Sequence, residues 1–339
     1  MTGVVTWDEL NSQPDAWQAL VVRLESKALT LLVDPATYDE FLLLGSGTSY
    51  YLACAVADWM VRRGWNARAV ASCEVMLDPL PSRPSSARRL AIGFSRSGQS
   101  SELLLANGIL KASGFDLLGV TCTAGSSLLS QVDHPMLISE GFEDGLVMLR
   151  SFTSMLIAAQ WLFGTKDDRQ ALRVLPEAGR AMLAKASELQ QLAQSRPFDR
   201  FVFLGSGPQH PLTQESALKI QEMAVATSEA YYSLDYRHGP KACADVNTVV
   251  TLFSLSNREH GLALARDIRA LGATLIVIGT DAAAYADVAQ IALAPSGMSS
   301  GEASAAAMMI PVQLFAFATA LRRGRNPDSP VNLSKVVVL

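Results

Sequence analysis

The chain of 339 residues carries 28 Lys and Arg against 32 Asp and Glu, a formal net charge of −4, with no basic block. Nucleic acid is therefore not an expected partner, because binding a phosphate backbone takes a concentrated basic face. Met1 to Trp7 shows no positive stretch followed by an apolar one, so no secretory signal is expected.

In chain order, Ala16 to Leu29 has the apolar spacing of an amphipathic helix. Phe41 to Leu44 is an apolar run of strand length that meets Gly45-Ser46-Gly47 and then a helix-like segment. Further strands are expected at Leu90 to Phe94 and Leu117 to Thr121, with a buried helix over Ser151 to Phe163. Leu175 to Arg196 is rich in Ala, Leu, Glu and Gln and reads as a joining helix, not a flexible tether.

The pattern then starts again. Asp199 to Gly207 (DRFVFLGSG) repeats Asp39 to Gly47 (DEFLLLGSG), Val249 to Ser254 parallels Leu90 to Ser95, and Leu275 to Gly279 parallels Leu117 to Thr121. Short continuous apolar runs alternating with helical segments are the mark of parallel strands buried on both faces. The chain is therefore expected to be α/β: two doubly wound parallel sheets flanked by helices, in domains 1–175 and 190–339. Ala303 to Leu321 is almost uncharged over about the length of a membrane span, but it contains Pro311 and Gln313 and matches Ser151 to Phe163 in position. It is read as a second buried helix, so no membrane partner is expected. Cys54, Cys73, Cys122 and Cys243 have no metal-type spacing and read as the reduced thiols of a cytoplasmic protein; no metal is expected.

Two constellations carry chemistry. Ser95-Arg96-Ser97-Gly98-Gln99-Ser100-Ser101-Glu102 lies between a strand and a helix, where hydroxyls, backbone N–H groups and a helix dipole can converge on a dianionic phosphate. Helix capping would account for one of these serines, not for the run. A dinucleotide fingerprint is incomplete after Gly47, which removes NAD, and Gly93 to Ser97 lacks the closing glycine of a nucleophile elbow. In the second half, Glu215, Lys219 and Glu222 stand at i, i+4 and i+7 on the helix after Gly207, one face of which meets the carboxyl edge of the sheet. A surface salt-bridge ladder is the plain alternative. Tyr236 to Lys241 (YRHGPK) then offers His238 in a loop, an acid/base candidate.

Taken together, GSGTSY from Gly45, SRSGQSSE from Ser95, ESALKIQE from Glu215, RHGPK from Arg237 and PVNLSK from Pro330 resemble the tandem sugar isomerase (SIS) domain proteins over nearly the whole chain. The likeness is strongest to the isomerase half of glucosamine-6-phosphate synthase and to the stand-alone amino-sugar-phosphate deaminase/isomerases, with Tyr232 to Lys241 leaning toward the galactosamine-6-phosphate type. The resemblance implies that Ser49, Ser95, Ser97 and Ser100, with the Arg96 backbone, hold a sugar phosphate, and that Thr48 lines the same pocket. It further implies Glu222 as the base moving a proton between C1 and C2, Lys219 beside the substrate oxygens, His238 in ring opening and Lys335 as the lysine of the C-terminal tail. A homodimer with shared sites is implied, since that histidine reaches the neighbouring subunit's site. No cofactor is implied.

The chain opens Met1-Thr2-Gly3 without a nucleophilic cysteine or added domain, so ammonia release is expected in place of ammonia generation from glutamine. Leu146 to Arg150 (LVMLR) departs from the relatives' VASTK-like stretch, which leaves three readings open. The first is a deaminating isomerase. The second is a fructosamine-6-phosphate deglycase with Met148 and Leu149 against a larger substituent, and the third is a phosphosugar sensor without turnover.

Overall fold

The computed structural model describes residues 2–26, 33–78, 86–298, 301–337 and 339. Of the expected first helix, residues 27–29 lie outside these. The chain forms two compact units, one of Asp15–Asp144, Met148–Arg173 and Ser334–Leu339, the other of Met1–Pro14, Gly145–Val147 and Val174–Leu333. The two contiguous halves expected from the sequence thus exchange their termini: the first residues join the second sheet, and the last six join the first.

In the first-sheet unit, β1 (Glu40–Gly45), β2 (Ala67–Ala71), β3 (Arg89–Phe94), β4 (Asp116–Thr121) and β5 (His134–Leu137) run in the order β2-β1-β3-β4-β5. Every pairing is parallel, with Phe41 opposite both Ala67 and Leu90. Leu42, Leu43, Leu44 and Ile92 are each at most 1% exposed, which is why these strands read as unbroken apolar runs. Each such side chain contributes on the order of 1.5–3 kcal/mol of burial. Three helices carry the argument: α1 (Thr48–Val61) after β1, α2 (Ser101–Ala112) after β3, and α3 (Arg150–Phe163) after β5. Gly45 allows α1 to start tight against the sheet, because a Cβ there would lie 2.2 Å from the Ser49 carbonyl oxygen. Residues Ser151 to Phe163 of α3 are all buried, as the sequence predicts.

The second-sheet unit repeats the plan with β6 (Arg200–Gly205), β7 (Ser228–Tyr232), β8 (Thr248–Phe253), β9 (Thr274–Ile278) and β10 (Ile291–Leu293), ordered β10-β9-β8-β6-β7 and again all parallel. Its helix α4 (His210–Lys219) follows β6, and α5 (Ala305–Arg322) fills the place of α3. By length and composition α5 could cross a membrane, but 89% of that window is buried. It packs on α4 and on the helices Leu175–Leu183 and Ala186–Ser195. The joining helix expected over 175–196 is therefore two helices, broken where the Lys185 N–H turns back to the Met182 carbonyl at 3.0 Å. Gln313, the polar residue within α5, is paired with Gln13 through a 2.7 Å hydrogen bond. The N-terminal helix Val4–Asn11, unremarked in the sequence, is held by Asp328, which accepts from Thr6 N and Thr6 Oγ1 at 2.8 Å each. All four cysteines are free thiols.

Candidate active site

Strand order reverses at β1/β3, the switch point where open parallel sheets bind ligands at their carboxyl ends. Both expected anion-binding segments end there. Gly47, at φ +56, turns the chain into α1, whose first residues Thr48 and Ser49 are 5% exposed. Opposite, the loop after β3 is folded on its own hydroxyls: Ser95 Oγ accepts from Gly98 N at 3.0 Å, and Ser97 Oγ accepts from Gln99 N at 3.2 Å. Ser100 occupies the N-cap of α2 but makes no side-chain capping bond. Its hydroxyl lies 3.3 Å from that of Ser95, so capping does not account for it. The Arg96 peptide is fixed by three donors to its carbonyl, Thr121 Oγ1 and Thr123 Oγ1 at 3.0 Å and Cys122 N at 3.2 Å. The result is an internally hydrogen-bonded, hydroxyl-lined loop at a helix N-terminus, an arrangement with the chemistry to receive an anion.

Gly98 is the pivot of that loop. Its φ is +62, and a Cβ would lie 2.3 Å from Ser126 Oγ. Since the left-handed region alone costs an ordinary residue about 1–2 kcal/mol, Gly98→Ala is expected to weaken inorganic phosphate binding roughly tenfold in a calorimetric titration. An unchanged affinity would remove the loop's shape from the binding.

In the second-sheet unit, Glu215, Lys219 and Glu222 do come together. Lys219 Nζ lies 3.2 Å from Glu215 and 2.5 Å from Glu222. The uniform helical face expected from the spacing is modified, however. α4 ends at Lys219, and Ile220–Ala224 forms a π-turn closed by Val225 at φ 50. Such turns are frequent at functional sites because they displace a side chain from the helical ladder. The exposures decide which group can meet a substrate: Glu215 and Lys219 are 0% exposed, while the Glu222 side chain keeps 19%. This is not a surface ladder. Burial by itself would lower the Lys219 pKa, but Glu215 and then Glu222 outweigh it and hold the lysine above its ordinary value, charged.

His238 ends a single 3-10 turn, Asp235–His238, and Gly239 at φ +137 follows. Buried Tyr236 and the 2.9 Å Arg237–Asp267 ion pair anchor the turn and leave the His238 side chain exposed, without a hydrogen-bond or ion-pair partner among the described residues. Lys335, on the tail, belongs to the first-sheet unit, where its ammonium donates to the carbonyls of Glu143 and Asp144 at 2.9 Å each. Its own carbonyl accepts from Arg96 Nη2 at 2.8 Å. In the departing stretch the two apolar residues part company. Met148 is half-buried and its sulfur accepts from Ser49 Oγ at 3.9 Å, whereas Leu149 is 0% exposed and belongs to the core. The expected contact of Leu149 with a substituent therefore fails.

Sequence reasoning passed over Glu143. It is 1% exposed, and its carboxylate accepts from Leu149 N at 2.8 Å, Ser151 N at 3.0 Å and Ser151 Oγ at 2.6 Å. It thereby caps α3 from eight residues upstream of Ser151. A capping box has a spacing of three, so no local motif marks it.

The SIS domain family matches the chain twice, over residues 39–164 and 196–323. Among curated proteins, D-galactosamine-6-phosphate deaminase AgaS of Escherichia coli is 27% identical across 97% of this chain and 92% of its own length. Among solved structures, glucosamine-6-phosphate deaminase of Thermotoga maritima is similar with a TM-score of 0.82 at 29% identity, over 98% of this chain and 99% of that one. Tagatose-6-phosphate ketose/aldose isomerase of Escherichia coli is similar with a TM-score of 0.86 at 26% identity, over 97% of this chain and 95% of that one. With both halves matched, each around a five-stranded parallel sheet, the chain belongs to the SIS domain family.

Proposed function

We propose that the protein is a sugar-phosphate isomerase and deaminase, converting an amino-sugar 6-phosphate and water to a ketose 6-phosphate and ammonia. The observation that carries this reading is the Lys219–Glu222 pair, in which a carboxylate with solvent access is held 2.5 Å from a buried ammonium. Proton transfer between adjacent carbons needs such a base, and the oxygen or nitrogen at the neighbouring carbon needs a cation as charge develops there.

In this reading Ser95, Ser97 and Ser100, with Ser49, Thr48 and the Arg96 backbone, hold the phosphate. His238 serves ring opening. Glu222 takes the proton from C2 and returns it to C1, passing through an enediol-type intermediate that carries nitrogen on C2. The resulting ketimine adds water and loses ammonia. Lys219 steadies the intermediate without leaving its buried position. The relatives that act on amino-sugar 6-phosphates support the substrate class. The exposure of His238 is compatible with service to a neighbouring subunit, and a cytoplasmic homodimer is part of the proposal.

The deciding experiment is proton NMR in D2O with the 6-phosphates of glucosamine, galactosamine, glucose and fructose and a fructosamine adduct. Deuterium is expected at C1 or C2 of an amino-sugar 6-phosphate, with ammonia released. Amino-acid release from the fructosamine adduct would make the protein a deglycase, and binding of every compound without exchange would make it a sensor.

A further inference from the structure

We propose that Glu143 and Lys335 are positioning residues of the phosphate site, which act by closing a collar around the serine loop. This rests on the sugar-phosphate reading above and assigns how one wall of that site is held.

The collar can be followed atom by atom within the first-sheet unit. Arg96, in the serine loop, donates from Nη2 to the Lys335 carbonyl at 2.8 Å. Lys335 donates from Nζ to the Glu143 and Asp144 carbonyls at 2.9 Å, and its ammonium stands 5.8 Å from the Phe142 ring centroid. The Glu143 side chain then spans the loop it begins: its Oε1 accepts from Leu149 N and Ser151 N, and its Oε2 accepts from the Ser151 hydroxyl. That clamp fixes the backbone on the C-terminal side of Met148. The Met148 sulfur in turn meets Ser49 Oγ, on the other anion-binding segment. Farther along the tail, Leu339 N donates to Ser101 Oγ at the first turn of α2.

Two physical points give the collar consequences. A thioether is a weak acceptor, so contact with Met148 leaves the Ser49 hydroxyl available to a phosphate oxygen while limiting its rotation. The Glu143 carboxylate is 1% exposed and has three donors, so the clamp is lost as a unit when the carboxylate is removed, stranding two buried backbone N–H groups. Lys335, in contrast, is exposed, and its ammonium's hydrogen bonds among the described residues go to main-chain oxygens. Its role in this arrangement is to tie the tail to the loop while presenting its carbonyl to Arg96.

The test measures binding without turnover, using inorganic phosphate and glucitol 6-phosphate, which has no carbonyl to enolise. Glu143→Ala is expected to raise both dissociation constants about tenfold and to speed hydrogen exchange at the Leu149 and Ser151 amides. Lys335→Met is expected to raise them comparably, and Lys335→Arg, which keeps donors for both carbonyls, to restore them. Should Glu143→Ala not fold, the Lys335 pair carries the test alone, since that side chain is on the surface. Unchanged constants in the folded variants, alongside weakened binding in Ser97→Ala/Ser100→Ala, would overturn the collar and leave the phosphate site standing. Absence of binding to the parent protein would overturn the sugar-phosphate reading and the collar with it.

Discussion

Glu222→Gln is expected to lower turnover at least about a thousandfold, within the range for loss of a general base, while leaving the dissociation constant of glucitol 6-phosphate within a factor of about two. The amide keeps the volume of the carboxylate and an oxygen that can accept from Lys219, so the π-turn is expected to survive. Lys219 also keeps Glu215, 3.2 Å away, and remains charged. What is lost is the capacity to take and return a proton. In the proposed reading phosphate affinity is set by the serine loop, which belongs to the other unit and shares no residue with this cluster. Single-turnover kinetics and calorimetry on one preparation separate the two quantities. Activity within tenfold of the parent would show that Glu222 is not the base.

The three inner strands of each sheet were legible in the sequence because parallel strands buried on both faces leave little freedom in composition, whereas the edge strands β2, β5, β7 and β10, less completely buried, left no such run. Phe41 to Leu44 and Phe201 to Leu204 lie within β1 and β6, and their repetition announced the duplication before any packing was known. The serine loop was legible because its hydroxyls are consecutive. Other features depend on contacts remote in sequence. Nothing near Lys335 marks its attachment to Glu143 and Asp144, more than 190 residues away, and Glu143 itself looks like an ordinary loop carboxylate. The π-turn at Ile220–Ala224 is invisible to a search for helical spacing, because both helical forms bring Glu222 near Lys219.

The two copies also differ in a way that composition alone understates. Gly47 and Gly207 share a positive φ, +56 and +57. After Gly47, α1 begins at once with Thr48 and Ser49, which bring two side-chain hydroxyls to its first turn, while the Ser49 N–H donates to the Ser46 carbonyl at 3.2 Å. After Gly207, a 3-10 turn containing Pro208 precedes α4, which has Pro211 in its first turn. Proline brings no N–H, so the second copy offers fewer donors to an anion at the corresponding place. That loss agrees with a division of labour in which the first glycine turn binds and the second directs the helix carrying Lys219.

Lys219→Met tests that helix most severely. The substitution leaves Glu215, 0% exposed, without its cation, and breaking a buried pair by removing one partner costs roughly 3–5 kcal/mol. A fall of that size in unfolding free energy is expected in urea titrations, together with loss of deuterium exchange into the substrate. Adding Glu215→Gln removes the stranded charge, so the double variant is expected to regain most of the stability and none of the activity. That divergence is informative because packing and catalysis would otherwise fall together. The pH dependence has a fixed sign: since the folded lysine is held above its ordinary value, its stabilisation is complete below that value and is lost only as pH rises through the folded pKa. Lys219 therefore contributes no slope to stability below about pH 9. A Lys219→Met variant as stable as the parent would mean that the two carboxylates are not held by this ammonium, and a double variant that turned over substrate would remove Lys219 from the chemistry.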